Sequence, residues 1–323
     1  VTDTTTASGA GESLAKRHDL SQLPLTPPSR TSGVLEVFRR RYLLRLMVRR
    51  EIQARYAGTV FGLAWSYINP FTRFLTFYFV FGILLGRGMG VDQFAIHLFS
   101  GMVLINYFTE TVTSGTRSIL SNKGVVQKMA MPREMFPVAA MLVSLWHAGP
   151  QILILILACL ALPGLQDGVL WVPDAYGMGA ALLGFLIVAV LGTAAGLAFS
   201  CVNVIFRDFS RIVQTIINVV PFAVPMMYPY WIVAERFKEI PNAHDLFLLN
   251  PLAEAVMLFQ RGFWYPTCEP SCSGVDPKTG LARPEFADHL ITRGFVMLAV
   301  SVVFLMLGQL IFSRLEKRVP EVL

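Results

Sequence analysis

The stretch "YGMGAALLGFLIVAVLGTAAGLAFSCVN", residues 176–203, carries no charged side chain over 28 consecutive positions. As an α-helix it would extend about 42 Å, more than the roughly 30 Å hydrocarbon core of a bilayer. A run of that length reads as a membrane-crossing helix. Inside it, Gly192 and Gly196 form a small-xxx-small pair, which lets a second helix approach closely. Working outward, five further apolar windows appear at 62–86, 94–118, 135–162, 212–232 and 290–313. The composition agrees: 54% hydrophobic, 15% charged and a mean hydropathy of +0.56, where soluble domains carry roughly 25% charge. The expected fold class is therefore an all-α polytopic membrane protein with six transmembrane helices.

The charges orient these windows. With the amino end inside, segments 34–61, 119–134, 204–211 and 314–323 face the cytoplasm and hold 15 Lys and Arg in 62 residues. Segments 87–93, 163–175 and 233–289 face outward and hold 6 in 77. That asymmetry places both termini in the cytoplasm. The domains that follow are a disordered tail over 1–33, an interface segment over 34–61, a six-span region over 62–313 and a cytoplasmic tail over 314–323. The first 33 residues lack the apolar core of a signal peptide. From Val34 on, Leu35, Phe38, Tyr42 and Leu46 make a helical stripe among six arginines, while Leu43, Leu44 and Val48 fall off it. A basic amphipathic helix on the membrane surface is the expectation. Within 233–289, "DLFLLNPLAEAVMLFQRGFW" (245–264) is interrupted by Asn250-Pro251 and Glu254, so helices that dip partway into the membrane are expected instead of a seventh span. Cys268 and Cys272 share this outer segment, where a local disulfide would act as a staple.

No phosphate-binding loop, zinc-protease motif or serine-hydrolase motif occurs, and the five histidines have no metal-ligand spacing. The chain is thus expected to be no enzyme and to have no catalytic residue, metal or cofactor of its own, and its basic residues form no nucleic-acid motif. Polar groups inside spans need a reason: Arg73 in the first, and Glu110 and Arg117 within the polar run "NYFTETVTSGTRS" (106–118) in the second. The later spans contain almost no carboxylates and the sequence shows no internal repeat, which argues against a gradient-driven carrier. Aromatics make up 12% of the chain. Trp65, Tyr67, Phe74, Tyr78, Tyr107, Phe108, Phe222 and Tyr228, with Glu110, are candidate conduit or gate residues, since aromatic faces stack on sugar rings. Pro221, Pro225 and Pro229 in "NVVPFAVPMMYPYW" (218–231) should kink or break the fifth span at its outer end.

Five stretches, in order, resemble the ABC-2 type permeases that export cell-surface polysaccharides. "RREIQARYAGTVFGLAWSYINP" (49–70) is similar to their amino-terminal signature, through Arg50, Glu51, Arg55, Tyr56, Gly62, Trp65 and Pro70. "QKMAMPREMFP" (127–137), "FRD" (206–208), "VPMMYP" (224–229) and "LNP" (249–251) follow. The resemblance implies the ABC-2 permease fold, a homodimer, two copies of a separate ABC ATPase that binds ATP and Mg, and a lipid-linked polysaccharide as substrate. It also implies residence in the bacterial inner membrane among its lipids. The Arg-rich bias and the tail resemble the actinobacterial galactan exporter permease most. By the same analogy Lys128, Met131, Pro132, Arg133 and Glu134 form an ATPase-coupling loop. Its charges would pair with the ATPase, and Met129, Met131 and Met135 would offer an adaptable apolar surface. Arg50, Glu51, Arg55 and Tyr56 make a second contact, and Arg207 and Asp208 lock the inner turn.

The alternatives are a permease for a small hydrophobic drug or lipid, and a membrane-embedded glycan-assembly enzyme using outer carboxylates such as Glu235, Glu239, Asp245 and Glu254.

Overall fold

The computed structural model describes residues 33–84, 90–128, 131–165, 169–237, 240, 242–268, 272–275, 280 and 282–319. The expected tail up to residue 32, Met129, Glu239, residues 320–323 and the Lys128 side chain lie outside the described residues. The chain is helical, and the one β-bridge among those residues pairs Val275 with Ala282.

Twelve helices are described in chain order. They are α1 (Val34–Arg39), α2 (Arg41–Tyr56), α3 (Trp65–Phe77, continued by a π-helical turn over Tyr78–Leu84) and α4 (Phe94–Ser121). Next come α5 (Lys123–Lys128), α6 (Met135–Leu165), α7 (Ala175–Ile205), α8 (Phe209–Ile217) and α9 (Tyr230–Arg236). The last are α10 (Ala243–Leu248), α11 (Pro251–Phe263) and α12 (Leu290–Leu315). Every expected apolar window holds helix. Among the described residues three helices, in α6, α7 and α12, are long and apolar enough to cross a membrane by length and composition.

The core forms where α4, α7, α11 and α12 meet, and glycines set the spacing. A Cβ on Gly115 of α4 would lie 2.8 Å from the Cα of Gly196 on α7. Gly192 meets Thr111 in the same seam, so the small-xxx-small pair is the contact line of these helices. Gly184 of α7 faces the Ala255 carbonyl of α11, and Gly308 of α12 faces the Ala194 carbonyl of α7.

At 13 residues, or about 20 Å, α11 is too short to span a membrane, and nearly all its residues are buried. It runs antiparallel to α7 inside the bundle, Ala255 opposite Gly184 and Gly262 opposite Gly177. Two ends of the molecule are thereby defined. One carries α2, α5, the 206–208 turn and the end of α12. The other carries the Cys268–Cys272 disulfide.

The fifth window is broken earlier than its prolines require. Helix α8 stops at Ile217, a 3₁₀ turn spans Val220–Ala223, and the chain then runs irregularly to α9. The polar run in α4 is absorbed locally. Thr109, Thr113 and Thr116 donate to carbonyls four residues back, and Ser118 to one three back.

Candidate coupling and transport sites

At the α5 end, "PRE" is folded inward. Glu134 has 0% exposure and accepts a hydrogen bond from Gln309 Nε2 of α12 at 3.2 Å. Arg133 donates to the Glu316 carbonyl at 2.9 Å and lies 3.6 Å from its carboxylate. Pro132 and Met135 are buried, and Met131 is half-buried between two apolar clusters. This corrects the expectation that Arg133, Glu134, Met131 and Met135 present charge and apolar surface to a partner. A buried carboxylate needs a donor, and the end of α12 supplies one within this chain. What projects is α5, where Lys123, Gly124 and Gln127 are exposed. Sequence reading missed it because six residues give too little periodicity to stand out.

The basic helix has two apolar faces. Val37 and Leu44 are buried against Met135, Val138 and Ala139 of α6. The stripe seen in the sequence faces away, with Phe38 49% and Tyr42 76% exposed. Leu43, Leu44 and Val48, the residues that spoil the stripe, are those packed on or around α6. Arg50 and Glu51 are exposed. Arg55 forms an ion pair with Glu110 of α4, and the Tyr56 hydroxyl hydrogen-bonds Ser66 of α3 and, at 2.9 Å, His147 Nδ1 of α6. Arg73 donates to Asn106 at 3.0 Å, and Asn106 to Gln151 at 3.3 Å, tying α3, α4 and α6 one layer further in.

Arg207 and Asp208 are exposed and make no side-chain hydrogen bond or ion pair with a described residue, so they do not lock the inner turn. Asn203 does so by accepting from the Ser210 amide at 3.0 Å. It was missed because a lone Asn at a helix end has no distinguishing pattern.

The conduit candidates separate. Trp65, Tyr67 and Phe222 are exposed, and Phe74, Tyr78, Glu110 and Tyr228 are half-buried. Tyr107 is 1% exposed and stacks on Phe185 at 4.7 Å, and Phe108 packs toward α7. Tyr107 is sealed in the contact of α4 with α7, whereas Phe108 also borders an apolar groove beside that contact.

Near the disulfide end, the irregular segment after α8 needs its carbonyls satisfied. Asn250 Nδ2 donates to Ala223 O at 3.0 Å, Gln260 Nε2 to Pro225 O at 3.0 Å, and the Tyr228 hydroxyl to Phe222 O at 3.0 Å. Asn250 also caps α11 through the Leu252 amide, with Pro251 in the first turn. "VPMMYP" and "LNP" are thus one structural unit. Replacing Asn250 with Ala removes the cap and strands a carbonyl. We expect a loss of about 1–3 kcal/mol, read as a lower unfolding midpoint of the detergent-purified protein. Glu254, counted above among outer carboxylates, has 0% side-chain exposure and faces Arg293 at 3.5 Å, so it is unavailable as an outer catalytic acid.

Among the described residues no cluster of His, Cys, Asp or Glu could hold a metal ion. A wholly apolar groove of about 500 Å³ runs between α4, α7, α8 and α12.

Comparison with known proteins places this arrangement. The chain is 24% identical over 281 residues to the O-antigen export system permease protein RfbA of Klebsiella pneumoniae, covering 87% of this chain and 95% of that protein. It is 25% identical over 247 residues to the RfbA of Myxococcus xanthus, covering 73% and 87% respectively. The profile of the family described as ABC-2 type transporter matches residues 42–264, from the second residue of α2 to the residue after α11. More than half of the chain lies in that match, and it takes in all five motif stretches, so the protein belongs to the ABC-2 type transporter family.

Proposed function

We propose that this chain is the membrane subunit of an ATP-driven exporter that moves a lipid-linked cell-surface polysaccharide across the bacterial inner membrane. The observation carrying this reading is the likeness to O-antigen export permeases along nearly their whole length. ATP and Mg bind to a separate ABC ATPase, two copies of which act with two copies of this chain. The α5 end faces the cytoplasm with both termini, and the six helical windows each cross or enter the bilayer.

Three features of the molecule support the pairing. Helix α3 has no buried residue, although it carries Asn69, Thr72, Arg73 and Thr76. Polar groups at membrane depth face protein or water and not lipid, so this face suits a second copy and a hydrated conduit between the two. Trp65, Tyr67 and Phe222 are exposed where sugar rings can slide on aromatic faces. Helix α5 presents Lys123 and Gln127 as the ATPase contact, and its neighbouring loop is braced on α12 by Arg133 and Glu134. A galactan is the polymer favoured by the resemblance in the sequence. The apolar groove favours a second reading, export of a small hydrophobic molecule or lipid.

Depleting the protein in its host and analysing lipid-linked glycans tests the choice. Full-length polymer is expected to accumulate on the cytoplasmic side, and its sugars would identify the substrate. Truncated or missing polymer without an inner pool would mean that the chain assembles glycan; unchanged glycan would point to the small hydrophobic cargo.

A further inference from the structure

Arg55 and Tyr56 are adjacent on the last turn of α2, yet each reaches a different part of the bundle. Arg55 pairs with Glu110 on α4, and Tyr56 bridges Ser66 on α3 and His147 on α6. Directly after them the helix ends. Ala57 is extended, Gly58 turns through φ +73°, and a Cβ there would meet nothing within 4 Å. The end of α2 is tied to the bundle by these two side chains, and the chain that follows turns back on it only through Thr59, whose amide and hydroxyl donate to the Tyr56 carbonyl.

Two cavities of mixed polar and apolar lining meet at this point. One, of about 320 Å³, lies between α2, α4 and the start of α6 and is lined by Glu51, Arg117, Ser118 and Asn122. The other, of about 300 Å³, lies among α3, α4 and α6 and is lined by Trp65, Asn69, Glu110, His147 and Gln151. Arg55 lines both. Arg117 makes no ion pair or side-chain hydrogen bond with another described residue and stands open to the first cavity.

We propose that the Arg55–Glu110 pair, steadied by Tyr56 and His147, is a latch that divides one hydrated passage in two. When the end of α2 swings away, the cavities join and solution reaches the cleft between α3, α4 and α6. Ion pairs with substantial exposure are weak, and the Arg55 side chain is 42% exposed. That suits a contact which opens and recloses, in contrast to the buried Glu134. The cleft wall carries polar groups, through Ser66, Asn69, Glu110 and Gln151, so it accepts water. Movement of α2 by a nucleotide-driven partner would operate the latch; this last step rests on the exporter reading, whereas the latch itself does not.

The chain supplies its own reporters. His147 is 4% exposed and sits behind the latch. His97 is 1% exposed against Trp264, with ring centroids 4.5 Å apart. His244 has 36% side-chain exposure. The test is diethylpyrocarbonate labelling of the permease with its ATPase in lipid nanodiscs, read at each histidine by peptide mass spectrometry. In the nucleotide-free wild type, His244 is expected to label quickly and His147 slowly. Arg55→Gln and Glu110→Gln should each raise His147 labelling roughly tenfold while His97 stays protected, which also reports an intact fold. The exchanged pair R55E/E110R should return His147 to slow labelling. His147 rates within twofold of wild type in both single variants, with His97 protected, would overturn the latch. So would fast labelling in the exchanged pair, or unfolding of both single variants, since a latch is dispensable for folding. With a hydrolysis-deficient ATPase and ATP, His147 should label fast in the wild type. If it stays slow there but is fast in Arg55→Gln, nucleotide-driven opening is overturned and the latch stands; the exporter reading is decided separately by the glycan that accumulates on depletion.

Discussion

Arg133→Ala is expected to destabilise the α5 end of the protein by about 3–5 kcal/mol, the usual range for removing one partner of a buried ion pair. The Arg133 side chain is 18% exposed and that of Glu316 11%, so little solvent screens the loss. Without the guanidinium, Glu316 and the buried Glu134 are left near one another with Gln309 as the remaining donor to Glu134. The end of α12 then loses its charged tie to the turn before α6 and keeps the Gln309–Glu134 hydrogen bond and apolar packing. Thermal unfolding of the detergent-purified protein should move well below wild type, and export should fail with it. Lys123→Ala on the exposed face of α5 should behave differently, leaving the unfolding midpoint in place while weakening association with the ATPase. A midpoint unchanged by Arg133→Ala would show that the charges of "PRE" serve a partner after all.

The second large effect is expected on α7, from two glycines five residues apart. A Cβ on Gly184 would lie 2.5 Å from the Ala255 carbonyl oxygen and 3.1 Å from Leu258 Cβ. Backbone cannot move aside as a flexible side chain can, so Gly184→Ala must push α11 away from α7. Overpacking of this kind costs about 1–3 kcal/mol, and more where a whole helix shifts. Shifting α11 also disturbs Gln260 and Asn250, which hold the irregular segment after α8. Gly179→Ala, by contrast, meets nothing within 4 Å and should be neutral or stabilising by up to ~1 kcal/mol through helix propensity. Yield of folded protein and unfolding midpoint, measured side by side, check the pair. Equal behaviour of the two variants would mean that α11 is not seated on α7 as described.

Much of this architecture is legible in the residues. The apolar windows mark the helices because the information is contained within some twenty consecutive positions. The prolines of "NVVPFAVPMMYPYW" announce a broken span because each removes a backbone donor. Gly192 and Gly196 announce a close contact because small residues on one face leave room for another backbone. Even so, the break falls at Ile217, before the first of the three prolines, where the segment can borrow donors from Asn250 and Gln260. The apolar stripe of α2 is legible in the sequence, but its second apolar face, which α6 takes through Leu44, is not.

By itself, then, the sequence determined the helical membrane class, the windows in which the long helices lie, and the motifs by which the family is recognised. All of these are local: hydropathy, propensity and spacing act over a few turns. Only the tertiary structure decided where the charges go. Arg133 meets Glu316 across 183 residues, Arg55 meets Glu110 across 55, and Tyr56 meets His147 across 91. Whether a charged side chain at a membrane boundary serves a partner or its own fold depends on which group is close enough to replace its water. That distance is set by helix packing, and no pattern within a single helix encodes it.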